Sequence, residues 1–250
     1  MVTVGVDLAA EAKGTALAVV SWSDGAAALE DLSVGVADGS IVAASVGAAK
    51  VGIDCALGWP DAFVRFVAAH AAGDVADPAA DGGIDWRRTL AYRETDRRVR
   101  AVTGRWPLSV STDRLGLTAM RCAGLVDRLR DAGLDVDRSG VGRIAEVYPG
   151  GSLRLWGIRV DGYRTDAARR SEALDALVDA APWLDLGAFR PLLLGSTDAF
   201  DALVAALAAR AAATGRADTP PPEHADVARR EGWVALPTTS LGALAHLHLP

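Results

Sequence analysis

The chain is short of several residue types, and each shortage excludes something. Among 250 residues the only cysteines are Cys55 and Cys122. Two thiols cannot build the disulfide framework of a small secreted domain, so a reducing, cytoplasmic setting is the default expectation. The four histidines, at positions 70, 224, 246 and 248, lack the spacing of a zinc site. No apolar run reaches the roughly twenty residues that span a bilayer, so no membrane partner is expected. The first residues enter a strand pattern at once, with no basic segment and cleavage site, so no secretory signal is expected. Lysine is confined to Lys13 and Lys50, and the remaining basic residues are arginines. The net charge of −6 leaves no global positive field for nucleic acid, so any such contact must use a local patch.

What is present is an ordinary globular composition, with 50% apolar and 23% charged residues and a length that suits one large domain or two small ones. Apolar alternation predicts strands over 2–8, 14–22 and 28–36, an antiparallel meander, followed by a short helix over 39–49. Residues 50–56 form an apolar run too short for a helix and are expected as a buried strand, stopped at Gly58 and Pro60. Helices are expected over 60–75, 91–102 and 114–132, with 74–90 as loop. A strand at 143–148 follows, then helices at 150–157, 165–180 and 197–213, a loop from 214 and a short element at 231–237. The order implies one α/β domain over 1–250, a mixed sheet flanked by helices, with a helical insertion at 60–140 and a C-terminal extension at 214–250.

Carboxylates recur where an apolar element ends. In VTVGVDL, Gly5 and Asp7 share a strand face; in KVGIDCA, Gly52 and Asp54 do the same, each glycine leaving open space beside its acid. Glu146 sits in the apolar run RIAEVY, and Asp198 and Asp201 lie three apart near the start of a helix, on one face. Clustered carboxylates stay ionised only when a cation neutralises them, and hard oxygen ligands suit Mg²⁺ or Mn²⁺. Two such ions about 4 Å apart activate water for phosphodiester cleavage without a cysteine or histidine nucleophile. Each acid also has a plainer assignment. Asp7 caps a turn, Asp54 bonds backbone N–H groups, Glu146 pairs with Arg143 or an arginine of the basic segment, and Asp198 serves its helix N-terminus.

The basic segment WRRTLAYRETDRRVRAVTGRW, residues 86–106, carries seven arginines and three aromatics. On a continuous helix Arg93, Arg97 and Arg100 form one stripe, a candidate substrate-phosphate surface whose aromatics stack on an unpaired base. The competing assignment is a solvated, salt-bridged face, with Arg93 and Asp96 as buried partners at the mouth of the site.

The set of acids, strand Asp, strand Asp, strand Glu and helix Asp pair, resembles the RuvC-type branch of the RNase H-like superfamily. A more specific resemblance is to the family called domain of unknown function 429, whose members are taken as RNase H-like nucleases. It rests on VGVDLA at 4–9, VGIDCALGWP at 51–60, YRETDRRVR at 92–100, AEVYPGGSLRLWG at 145–157, GYR at 162–164, DAFDALVAALAA at 198–209 and EGWVALP at 231–237. The resemblance implies an RNase H-like sheet, Asp7, Asp54, Glu146 and Asp198 or Asp201 as metal ligands, and a nucleic acid or nucleotide as substrate. Arg164 stands where the family pattern carries lysine. Two other functions stay open: a binding or regulatory protein on the same fold with degenerate chemistry, and an ATP-binding kinase-like protein. The last is disfavoured because neither a fold duplication nor a second Gly-rich phosphate loop is present.

Overall fold

A computed structural model describes residues 1–74 and 83–248. Its centre is a six-stranded sheet of β1 (Val2–Asp7), β2 (Ala16–Ser23), β3 (Ala26–Val34), β4 (Lys50–Asp54), β5 (Ile144–Glu146) and β6 (Leu184–Asp185). The strand order is β5-β4-β1-β2-β3-β6. β1, β2 and β3 form an antiparallel meander, while β4 pairs parallel to β1, β5 parallel to β4 and β6 parallel to β3. This is the mixed α/β sheet, a meander extended by parallel strands, that the sequence led us to expect. The two-residue β6 was not foreseen, because so short a segment carries no periodicity.

The helices are α1 (Asp38–Val46), α2 (Asp61–Ala72), α3 (Gly83–Ala91), α4 (Glu94–Thr103), α5 (Gly116–Asp131), α6 (Pro149–Leu155), α7 (Ala167–Ala180), α8 (Arg190–Gly195), α9 (Thr197–Ala213) and α10 (Ala225–Glu231). Four of them, α2 to α5, separate β4 from β5 in the chain. Of the loop expected at 74–90, residues 75–82 lie outside the described residues, and 83–90 is helical instead. α8 and α10, one to two turns each, were also unforeseen.

Strand alternation assigns the two faces of the sheet. Val4, Val6, Val51 and Ile53 pack with Ile41 of α1 and with Cys122, Leu125 and Leu129 of α5. The opposite face, including Ala16, Ala18 and Val20, meets Phe200, Leu203 and Leu207 of α9, with α7 behind it through Leu174 and Leu177. α9 is buried all round from Ala199 to Ala211, which explains its nearly unbroken Ala/Leu/Val composition. No helix among the described residues is long and apolar enough to cross a membrane.

Candidate metal centre

Two strand ends and one helix build the site. β1 and β4 run parallel in a register that pairs Gly5 with Gly52 and Asp7 with Asp54. Both glycines therefore face the same layer as both acids. The space beside them is not open, as the sequence suggested. A Cβ on Gly5 would lie 2.1 Å from the Ala202 carbonyl oxygen and 2.2 Å from the Ala206 nitrogen, and one on Gly52 would lie 2.6 Å from the Ala205 oxygen. The two glycines are a groove that admits the backbone of α9. That close approach lowers the first turns of α9 onto the strand ends, and Asp201 arrives beside Asp7 and Asp54. Oxygens of these three carboxylates all lie within 4.8 Å of one another.

Burial and mutual repulsion make this arrangement costly without a cation. Burial, then the charges of Asp54, Asp201 and Asp198, push the Asp7 carboxyl up to about 9. Asp54 is pushed up to about 7, mainly by burial, with Arg164 opposing and Asp201 and Glu146 adding to the rise. Burial also raises Asp201, against the pull of Arg164 and of the Tyr163 hydroxyl. Asp201 is 2% exposed, whereas Asp198, one turn earlier, is half-buried and acts on the group through its charge. Of the helix pair, Asp201 is the member that joins the cluster.

Tyr163 and Arg164 hold the cluster from the side. The Tyr163 hydroxyl donates to Asp201 Oδ1 at 2.8 Å, and Arg164 Nε donates to that hydroxyl oxygen at 3.0 Å. Arg164 Nη2 stands 2.9 Å from Asp201 Oδ2 and 3.7 Å from Asp54 Oδ2. Sequence reasoning quoted this GYR segment but assigned it no role, because a loop residue has no periodicity to aim it. The signal was the glycine: Gly162 has φ +81°, a turn that presents the next two side chains.

Glu146 is placed differently. Its expected role as a metal ligand is corrected: Glu146 lies outside the group of three converging acids, and a buried guanidinium and a backbone N–H hold both its oxygens. Oε1 accepts from Arg93 Nη2 at 2.7 Å, and Oε2 accepts from Arg93 Nη1 at 2.8 Å and the Leu57 N–H at 3.0 Å. Arg93 also donates through Nη2 to Asp96 Oδ1 at 2.9 Å and through Nη1 to the Glu231 carbonyl at 3.0 Å. Its expected place in an exposed arginine stripe is corrected too. The helix is not continuous through 91–102; it breaks at 92–93, where the Arg93 N–H donates to Asp96 Oδ2 at 2.8 Å and opens α4. Arg93 is 3% exposed and cannot reach a substrate. Of the other two, half-exposed Arg97 pairs with Glu94 at 2.9 Å and Arg100 is exposed.

The knot around Arg93 draws in the C-terminal extension. The buried Glu231 carboxylate accepts from the Asp61 N–H at 2.8 Å and the Glu94 N–H at 2.9 Å, capping α2 and α4 together. Gly232 follows with φ +92°, and a Cβ there would lie 2.8 Å from Glu146 Oε2. The segments YRETD, AEVY and EGW are thus parts of one packed junction.

A family model described as "Protein of unknown function (DUF429)" matches residues 5–226. The match spans most of the chain and includes the three clustered acids, Tyr163 and Arg164, and the chain belongs to that family. No curated protein and no solved structure matches it.

Proposed function

We propose that this DUF429 protein is a metal-dependent phosphodiesterase of the nuclease type, acting on a nucleic acid or a nucleotide. The observation that carries the reading is the convergence of Asp7, Asp54 and Asp201 from two strand ends and a helix to within 4.8 Å. The donor set fits hard divalent ions, Mg²⁺ or Mn²⁺: every candidate ligand atom is a carboxylate oxygen, and the group is overloaded with negative charge. Asp7, Asp54 and Asp201 would hold the ions, with Asp198 adding charge from one helical turn away. Bound in pairs, such ions supply an activated water and neutralise the departing oxygen.

The protein's own groups fix the geometry. Tyr163 orients Asp201 through the hydroxyl hydrogen bond to Oδ1, and Arg164 pairs with Oδ2, so a bound ion would share that carboxylate with the guanidinium. Arg164, 48% exposed, offers a guanidinium at the edge of the cluster, suited to a phosphate oxygen. A second reading has one observation in its favour. Arg164 already compensates part of the charge of Asp201 and Asp54. A binding protein with degenerate chemistry would use that pairing in place of a metal.

Asp7→Asn separates the two. The expected result is a folded variant whose Mn²⁺-dependent cleavage of a mixed single-stranded oligonucleotide falls by at least about 100-fold. Cleavage at the wild-type rate would overturn the proposed reading.

A further inference from the structure

Beside the carboxylates lies a small pocket of about 180 Å³ whose charged lining residues are all arginines: Arg105, Arg154 and Arg164. Arg164 belongs to both places, so the pocket adjoins the carboxylate cluster. No carboxylate lines it. Among the described residues Arg105 has one carboxylate partner, Asp161 at 3.1 Å, and both side chains are more than half exposed, a pairing that competes weakly with a ligand. Arg154 has no carboxylate partner among the described residues. Tyr148 also borders the pocket, and its hydroxyl makes no hydrogen bond among the described residues.

The wall is built for that tyrosine. A Cβ on Gly151 would lie 2.5 Å from Tyr148 Cδ1 and 3.1 Å from Cε1. The glycine lets the ring lie flat on the first turn of α6, which fixes where the hydroxyl points. Burial and, less strongly, the charge of Asp54 raise the Tyr148 phenol, while the charges of Arg164, Arg105 and Arg154 pull against that rise, so all three guanidinium groups act on the same spot.

Size and charge select the ligand. A cavity of 180 Å³ has room for about six waters at roughly 30 Å³ each. That is below the roughly 300–1,000 Å³ of a site for a whole small molecule. It admits a phosphoryl group and part of its sugar, and excludes a base pair. Three cations and a hydroxyl donor match a phosphate monoester, with about −1.5 to −2 charge at neutral pH, better than a singly charged diester.

We propose that the pocket of Arg105, Tyr148, Arg154 and Arg164 is a subsite for a terminal phosphate monoester, so that the substrate is the phosphorylated end of a short single-stranded oligonucleotide. This rests on the phosphodiesterase reading, because it names the substrate end that the carboxylate cluster would receive.

The test is a metal-free binding titration, so it does not depend on cleavage. One single-stranded oligonucleotide is compared with a 5′-phosphate, a 3′-phosphate or free hydroxyl ends, with inorganic phosphate as a separate arm. The expected result is that one phosphorylated form binds at least about tenfold more tightly than the hydroxyl form. Arg154→Ala and Tyr148→Phe should each shrink that preference, and Asp7→Asn should keep it. Equal affinity of all three oligonucleotides overturns the subsite. Inorganic phosphate binding as tightly as the phosphorylated oligonucleotide overturns the assignment to a nucleic-acid end. A preference untouched by both Arg154→Ala and Tyr148→Phe places the phosphate elsewhere and overturns it as well. Loss of cleavage in Asp7→Asn is a separate readout, so failure of the subsite and failure of the phosphodiesterase reading are distinguishable.

Discussion

Two arginine–carboxylate clusters in this protein differ in how far their charges and hydrogen bonds are met. At Arg93, one fully buried guanidinium meets two buried carboxylates, Glu146 and Asp96, through bonds of 2.7 to 3.2 Å, and the remaining lone pairs are met by backbone N–H groups of Leu57 and Arg93. At Arg164, one half-exposed guanidinium serves a group of three carboxylates, with Asp198 close enough to add its charge. The first cluster is closed, and a ligand could enter only by breaking it. The second has unmet acceptors and carboxyls pushed far above their usual range. The difference separates acids already paired within the fold from acids that could take a cation, a distinction residue type alone does not make.

The comparison breaks most sharply at Arg93. Arg93→Ala leaves Glu146 and Asp96 buried without their cation, and removing one partner of such a group costs about 3–5 kcal/mol. Chemical denaturation should show that loss. A variant as stable as the wild type would mean the cluster is not the closed structural knot described here.

Gly5→Ala tests the groove that carries α9. The added methyl meets helix backbone at 2.1 Å, which no side-chain rearrangement relieves, and overpacking of this kind costs about 1–3 kcal/mol. Because the same contact seats Asp201, the variant should lose Mn²⁺ affinity along with stability. Unchanged affinity would show that the cluster does not depend on the seating of α9.

The open cluster predicts an unusual pH dependence for the metal-free protein. Asp7 and Asp54 rise from 3.8 to about 9 and about 7 in the folded state. Between those values the folded protein binds more protons than the unfolded chain, so stability falls as pH rises. Their contribution is most favourable below the unfolded value and declines through pH 7 to 9. Denaturation midpoints without metal should be lower near pH 8 than near pH 5, and Asp7→Asn should flatten the slope. A slope of the opposite sign in the wild type, unchanged in Asp7→Asn, would show that these acids are not under strain.

The smallest effect is expected on the outer face of α4. Arg97→Ala and Arg100→Ala should change stability by no more than about 0.5 kcal/mol and leave oligonucleotide binding unchanged. A strong loss of binding would restore these two arginines as a phosphate surface.

Much of this was legible in the sequence, for identifiable reasons. Period-2 alternation put Asp7 and Asp54 on one face of β1 and β4, and the apolar run of α9 marked its first turns, but it left Asp198 and Asp201 undivided until the structure brought Asp201 to the group. The glycines were noticed and misread: two residues before each acid they look like empty space, and only the tertiary structure puts a helix backbone there. The arginine stripe lost Arg93 because helical periodicity was carried through it, where Asp96 bonds the backbone and starts a new helix; the competing assignment, Arg93 and Asp96 as buried partners, is the one observed. For Glu146 the sequence allowed both a metal and an arginine, since a strand-end acid looks the same in either case. Tyr163 and Arg164 lie in a loop, where pattern says little and a glycine turn is the only cue. The pocket joins Arg105 to Tyr148 and Arg154, both more than forty positions later, and no spacing rule connects them.

The central claim is that Asp7, Asp54 and Asp201 form a divalent-cation centre. Calorimetric titration of Mn²⁺ into the wild type, Asp7→Asn and Asp201→Asn tests it most directly. The account predicts saturable binding to the wild type that is lost in both variants while each remains folded. Binding of equal strength in all three would contradict it.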